Sequence, residues 1–418
     1  MRNERQPATA GEIRVAAKPR GVGAGGERHE TRPVNWAAKC ERHKTRPAPR
    51  GSNGKQGQAR RLNVGGAGGG RGEAGASVKR LRVVVLTDES LVPPADYAGA
   101  DYTDEPWRME RDIEIALRSL GHEVRVLGVV RNLEAIESVH REWRPHIAFN
   151  LLEDVYGVIA YDHNMVSFLE LMGLAYTGCN PLGLMVSRDK ALTKKLLAYH
   201  RIAVPRFLVC RQGRAVQRPK GLEFPLIVKP LLEDSSAGIS RESVVEDDAR
   251  LVERVKFVQE RFESDAIVEE FIAGRELYVG VMGNYRLEVF PAWELVIANQ
   301  PEGVPLVATA RVKWHRGYQK RLGVKTRPAK DLPEGFVAHL ERLSRRIYRI
   351  LGLSGYARLD YRLGSDGRAY LVEANANPQL ARGEDFAASA EHGGVSYAEL
   401  IQRIVSLGLR WKDSHAIE

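Results

Sequence analysis

Two short stretches bring together residue types that handle a hard cation. "YARLDYRLG" (356–364) carries Arg358 and Asp360, and "RAYLVEANA" (368–376) carries Glu373 and Asn375. Between them Ser365, Asp366 and Gly367 form a turn signal, so the pair reads as an antiparallel hairpin. Alternate residues of a strand share a face. Pairing would therefore crowd a cation, two carboxylates and an amide oxygen on one surface, with Val372 and Ala374 on the opposite, apolar side. Asp, Glu and Asn oxygens are the donor set for a hard divalent ion such as Mg²⁺. Without an ion, Asp360 and Glu373 would repel across the ladder. A solvated sheet face is the plainer alternative.

Other residues are less specific singly. Lys229 ends the apolar run "PLIVKP" and precedes Ser235, Ser236, Ala237 and Gly238, whose backbone N–H groups and hydroxyls suit phosphate oxygens. Lys190 opens a helix with Lys194 and Lys195 behind it. In "IVEEFIAGREL", Glu269, Glu270 and Glu276 surround Phe271 and Ile272. That segment suits a base slot with a ribose acceptor, or equally an acidic sheet edge that resists pairing.

The elements that must position these groups follow from periodicity. "LRVVVLTDES", "EVRVLGVV" and "PHIAFNLL" read as strands. They alternate with helices in "WRMERDIEIALRSLGHEV" (Met109, Ile113, Ala116, Leu117 and Leu120 in phase, Gly121 as the stop) and "NLEAIESVHREW" (Asn132 as cap). Such alternation predicts a parallel α/β sheet. A further helix in "DHNMVSFLELMG" and a strand in "LAYTG" complete a first domain at 81–183. A capped helix (187–199), the strand "FPLIVKP", a helix near 245–262 and the strand "AIVEEFI" make a second unit, 184–272. From 273 to 412 the pattern is antiparallel: "RELYVGVMG" and "YRLEVFPAWEL" flank a Gly283–Asn284 turn, and a long amphipathic helix at about 333–352 precedes the second hairpin. The fold class expected is α/β and α+β.

Composition limits the remaining choices. The net charge of +10 lies in residues 1–80, which hold 18 Lys and Arg against 6 Asp and Glu; the other 338 residues hold 45 against 47. That segment also carries 15 of the 40 glycines and no hydrophobic period, so it is expected to be a disordered basic tail. A polyanion-binding arm, a transit segment and an upstream extension compete as explanations, the last or a plain solvated tail being favoured. Nucleic-acid binding is not expected elsewhere. Cys40, Cys179 and Cys210 form no disulfide framework or metal knuckle. No apolar run is long enough for a membrane span and no signal-peptide core opens the chain, so a reducing, cytoplasmic setting is expected.

In their order, "ELMGLAYTG", "DKALTKKLL", "PLIVKPLLEDSSAGIS", "VEEFIAGREL", "GYARLDYRLGSDGRAYLVEANANP" and "GGVSYAELIQRI" resemble the ATP-grasp superfamily and, within it, the D-alanine–D-alanine ligase family, over roughly 81–407. The resemblance implies an N-terminal parallel domain and two α+β lobes clamping ATP. It implies that Lys190 and Lys229 hold phosphates, that Glu269, Glu270 and Ile272 border adenine, and that Glu276 accepts from the ribose. It further implies that Asp360, Glu373 and Asn375 hold two Mg²⁺ ions (Mn²⁺ as an alternative) and that Arg358 steadies an oxyanion. Ser235 would order the first substrate, Ser236 would join the phosphate loop, and Lys313 would lie in a mobile loop. The implied reaction joins a small-molecule carboxylate to an amine through an acyl phosphate, releasing ADP and phosphate; a homodimer stays open.

The acceptor side departs from the family. Tyr156 stands at a histidine position, though Gly157 is kept, and Trp314 replaces the mobile-loop tyrosine. After Asn-x-x-Pro the chain reads "QLARGEDF", placing Glu384 where a serine grips the second substrate's carboxylate. Gln379 could still donate its backbone N–H to an oxyanion. Glu384 would attract a cationic amine and Arg382 an acidic group, or both are ordinary loop charges. His392 reads as structural. The expected function is an ATP-dependent ligase with an altered substrate pair; the alternatives are a genuine D-alanine–D-alanine ligase and a nucleotide-binding protein without ligation.

Overall fold

A computed structural model describes residues 79–95, 101–129, 133–233, 238–299, 307, 309, 312 and 316–411. The basic tail, Asn132, Ser235, Ser236, Lys313 and Trp314 lie outside the described residues. The apolar run at 82–88 becomes β1 (Arg82–Asp88), flanked in parallel by β2 (Glu123–Val129) and β3 (Ile147–Asn150) in the order β2-β1-β3. The helices α1 (Arg108–Ser119) and α2 (Glu134–Trp143) make the crossovers. Ile113, Ala116 and Leu117 of α1 are buried beside Val83 and Val85. Gly121 ends that segment at φ +84°, a conformation glycine adopts without strain. The strand expected in "LAYTG" reduces to one parallel bridge, Ala148 with Tyr176.

Three helices follow: α3 (Asp162–Leu171), α4 (Pro181–Arg188) and α5 (Lys190–Tyr199). The helix α4 is not among the elements expected from periodicity, although its start signals are present: Asn180 accepts from the Gly183 N–H at 2.9 Å, with Pro181 as the first helical residue. Asp189 caps α5 by accepting from Ala191 and Leu192 at 2.9 Å, which fixes where Lys190 and Lys194 leave the helix. An antiparallel sheet follows, in the order β4-β7-β5-β6, made of β4 (Phe207–Cys210), β5 (Leu226–Pro230), β6 (Val244–Val245) and β7 (Ala266–Glu270), with α6 (Asp248–Phe262) packed on it.

The last sheet has the order β11-β10-β8-β12-β13, with β9 on β8. Its strands are β8 (Gly274–Met282), β9 (Glu288–Val289), β10 (Trp293–Ile297), β11 (Val324–Pro328), β12 (Tyr356–Gly364) and β13 (Ala369–Ala376). The single strand expected at 285–295 is two short ones. Pro291 has no N–H to give the ladder, so pairing stops there and resumes at Trp293 opposite Tyr278. The helix α7 (Arg316–Leu322) precedes β11, and α8 (Phe336–Ile350) lies between β11 and β12. Phe336, Leu340, Ile347 and Tyr348 of α8 join Leu359, Tyr361 and Leu363 of β12 in one core cluster. The Ser344 hydroxyl satisfies that of Tyr361 at 2.8 Å. With the odd residues of β12 in the core, the even ones, Arg358, Asp360 and Arg362, share the other face. Then α9 (Asp385–His392) and α10 (Tyr397–Arg410) close the fold against α1 and β3. No helix of the described residues is long and apolar enough to cross a membrane.

Candidate active site

The second hairpin has the expected register: Arg358 lies opposite Asn375 and Asp360 opposite Glu373. Two carboxylates facing each other across a ladder need cations, and each has one. The Arg358 guanidinium donates to both Asp360 oxygens at 2.8 and 3.0 Å, and Lys190 Nζ stands 3.0 Å from Glu373 Oε1. Burial disfavours the charged form of Arg358, but the adjacent Asp360 more than compensates and holds its pKa above the usual range. The Asn375 amide nitrogen is buried without a hydrogen-bond partner, an amide left over by protein contacts. The other carboxamide, Asn377, is structural: at φ +52° its Oδ1 accepts from the Cys179 N–H at 2.7 Å, close against Gly178.

One expectation at this hairpin is corrected. Beyond the Asp360–Glu373 pair the register shifts, and Tyr361 faces Leu371. Val372 is thus the extra residue of a β-bulge. Leu371 and Ala374 are both in the core, whereas Val372 lines the cleft instead of the apolar side. Its freed carbonyl accepts from Lys194 Nζ at 2.7 Å.

In the sequence Lys194 reads only as a helix charge. It stands 3.0 Å from Glu269 Oε1, while Lys229 Nζ lies 2.9 Å from Oε2. All three are buried, Glu269 completely at 0% exposure. The Lys194 contact is ionic without hydrogen-bond alignment, leaving Oε1 with a lone pair to give. Burial alone would raise the Glu269 pKa; the two ammonium groups overcome it and hold the carboxyl below its ordinary range. Burial dominates at Lys194 and lowers its pKa, against the pull of Glu269. Two lysines stand against one carboxylate here, and such an excess of basic groups in a dry place favours a polyanion beside it.

Lys229 and Glu269 line a cleft of about 770 Å³, counted to its open mouth. Its apolar walls include Ile227, Ile239, Phe271 and Ile272, and Lys190, Lys229, Glu269, Asp360 and Glu373 converge at it. Glu276, in the same lining, is held by Tyr278 Oη at 2.8 Å and Arg362 at 3.0 Å. Arg362, which sequence reasoning passed over, also lies 5.4 Å from the Phe271 ring centroid. Glu270 borders the cleft, but its carboxylate turns to Arg206, accepting from Nε at 2.8 Å.

The segment "QLARGEDF" is tied to α1. Arg108 donates to Glu384 at 3.3 Å and to the Arg382 carbonyl, and Asp112 accepts from the Arg382 N–H at 2.9 Å. Glu384 is thus partnered within the protein, and Arg382 lies over the Tyr397 ring at 4.3 Å. This favours the plain reading of both as loop charges over substrate grips. Tyr156 is a half-exposed turn residue at φ +61°, beside Gly157 at φ +76°. His392 packs edge-on against Trp293, as a structural histidine would. Sequence reasoning also missed Glu110. It is buried, its Oε1 accepts from Thr87 at 3.0 Å, and its Oε2 has no partner. Burial pushes its carboxyl up to about 7, with Glu153 adding to the shift.

The donor set fits a hard divalent ion: two carboxylates in register and a neighbouring amide, all oxygen chemistry. No group of three or more His, Cys, Asp or Glu gathers among the described residues, so any such site depends on the Asn375 amide or the ligand itself.

The sequence profile described as "D-ala D-ala ligase C-terminus" matches residues 196–406. A D-alanine–D-alanine ligase of Bordetella petrii is 32% identical over 257 residues, covering 60% of this chain and 73% of that protein. The chain belongs to the D-alanine–D-alanine ligase family. The ligase of Desulforudis audaxviator is 31% identical over 306 residues, 72% of this chain and 92% of the relative. An uncharacterized protein of Sinorhizobium fredii is 30% identical over 344 residues, 79% and 97%. Among solved structures, the D-alanine–D-alanine ligase of Bacillus anthracis complexed with ATP aligns with a TM-score of 0.62 at 21% identity, covering 79% of this chain and 98% of that one. The fold is therefore ATP-grasp. The protein is an ATP-dependent ligase that forms carbon–nitrogen bonds, in a family that works with ATP and a divalent metal.

Proposed function

We propose that the protein activates a small-molecule carboxylate with ATP and joins it to an amine that differs from D-alanine. The observation that carries this reading is the in-register Asp360–Glu373 pair with Arg358 and Lys190 against it. Phosphoryl transfer asks for positioning and charge neutralisation more than for covalent help. In this reading Lys190 and Lys229 hold the phosphates. The main chain of Glu269, Glu270 and Ile272 borders the base, the Glu269 carboxylate meets its edge, and Glu276 takes the ribose hydroxyls. Asp360, Glu373 and Asn375 would hold two Mg²⁺ ions, which when bound neutralise phosphate oxygens. Arg358 then stabilises the oxyanion of the acyl transfer. Ser235, Ser236 and Lys313 keep the roles that the resemblance gives them.

The relatives' printed activity favours D-alanine as the carboxylate partner. The "QLARGEDF" segment, bolted to α1 with Glu384 at the serine position, favours a different amine. The same reading divides the chain into lobes at 81–183, 184–272 and 273–412 and places the enzyme in the cytoplasm. A homodimer would show as twice the chain mass in light scattering.

The test is metal-dependent ADP release from ATP with D-alanine alone, then with D-alanine and a panel of L- and D-amino acids, dipeptides and polyamines. Products are identified by mass. ADP with a new amide, abolished by EDTA, supports the proposal. The D-alanine dipeptide as sole product would restore the relatives' named reaction, and ATP binding without turnover on any pair would mark a nucleotide-binding protein.

A further inference from the structure

Asp385 is the first residue of α9, and its Oδ2 lies 3.7 Å from a guanidinium nitrogen of Arg358. This is looser than the paired bonds of 2.8 and 3.0 Å with which Arg358 holds Asp360. Among the described residues no nearer cation meets the Asp385 carboxylate. Asp385 and Arg358 each keep 17% of their side-chain surface accessible.

The position of Asp385 is fixed from both sides. Phe386, next in the chain, is buried against Phe290 and Tyr356 at ring distances of 5.4 and 5.6 Å. Room for it comes from Gly280, which pairs with Arg358 across the ladder; a Cβ there would stand 2.9 Å from Phe290 and 3.1 Å from Phe386. On the other side the preceding loop is pinned to α1 through Arg108 and Asp112. A carboxylate is thus held beside Arg358 by packing that concerns neither ATP nor metal.

An amine reaches the enzyme as an ammonium ion. It must be held next to the group that stabilises the oxyanion, and it must lose a proton to react. We propose that Asp385 receives the ammonium group of the amine substrate and accepts its proton as the amide forms. This rests on the ligase reading above. The Asp385 carboxylate takes one proton from the ammonium group, which frees the nitrogen lone pair to form the bond to the acyl carbon. The carbon–oxygen bond to phosphate then breaks, and phosphate leaves with that electron pair and with the second surplus proton of the nitrogen, as hydrogen phosphate. Arg358 stabilises the oxyanion between these events, and the substrate class at this subsite is a cationic primary amine.

Hydroxylamine separates this role from a structural one, because it is uncharged near neutral pH and traps acyl phosphates as hydroxamates. Wild type and Asp385→Asn are compared with ATP, Mg²⁺ and whichever carboxylate of the panel gives most ADP, D-alanine being tried first. One arm supplies hydroxylamine, the other the panel amine that gives most product. The expected result for Asp385→Asn is a fall of about 100-fold or more in amide formation, with hydroxamate formation within about threefold of wild type. Equal falls in both arms would make Asp385 a prop for Arg358 and overturn the proposal; so would no change in either. Should the asparagine variant unfold on melting, Asp385→Ser, which keeps a residue suited to a helix start, must show the same contrast. A wild type silent in both arms would sink the ligase reading and this proposal together, whereas an active wild type isolates the question to Asp385.

Discussion

Glu269 is the carboxylate that two buried lysines share. Replacing one member of a buried ionic group leaves the others without their counter-charge. Glu269→Gln should therefore destabilise the protein by about 3–5 kcal/mol in urea unfolding. A change under about 1 kcal/mol would mean that Lys194 and Lys229 are neutral or hydrated as they stand. Glu110 presents the opposite case, a carboxyl raised by burial to about 7. A carboxyl whose folded pKa is raised favours the folded state when protonated. That stability is fully present below its ordinary pKa and is lost as the pH rises to about 7. Glu110→Gln removes the dependence, so from pH 5 to pH 8 the variant should gain up to about 3 kcal/mol on wild type. Parallel pH profiles of the two would refute the assignment.

Among the elements, the β13 bulge has the largest consequence for the site. Asp360 still faces Glu373 on one side of it and Tyr361 faces Leu371 on the other, with Val372 extra. Deleting Val372 should leave that register intact and make the ladder regular, while removing the carbonyl that Lys194 uses. The expected cost is about 1–3 kcal/mol, the value of leaving a buried donor short of an acceptor. A variant that unfolds outright would show that the bulge also sets the twist of the sheet. The sequence could not reveal the bulge, because strict alternation through Tyr370–Ala376 reads equally well. Alternation within each strand did put Arg358 with Asp360 and Glu373 with Asn375, but the bulge, not the turn alone, brings the two pairs opposite each other.

At the scale of the whole molecule, the acceptor segment is held by an element more than 270 residues away, Arg108 of α1. Arg108→Ala should loosen residues 379–384 without touching the nucleotide cleft. The expected outcome is a rise of about 3–10-fold in KM for the amine, about 1 kcal/mol, with KM for ATP unchanged. Equal rises for both substrates would mean that the domains close on ATP through this contact.

The sequence by itself determined the elements and the hairpin chemistry. Hydrophobic period, caps and turn residues act over a few positions, and Arg358, Asp360, Glu373 and Asn375 all lie within one hairpin. The tertiary structure decided what each polar group does. It set Lys194 against Glu269 and the Val372 carbonyl and gave the Glu270 carboxylate to Arg206. It tied Glu384 to Arg108 and set Asp385 beside Arg358. Those outcomes rest on charges meeting across long chain separations. A counter-charge acts through distance and burial, and neither is written in the spacing of residues along a strand or helix.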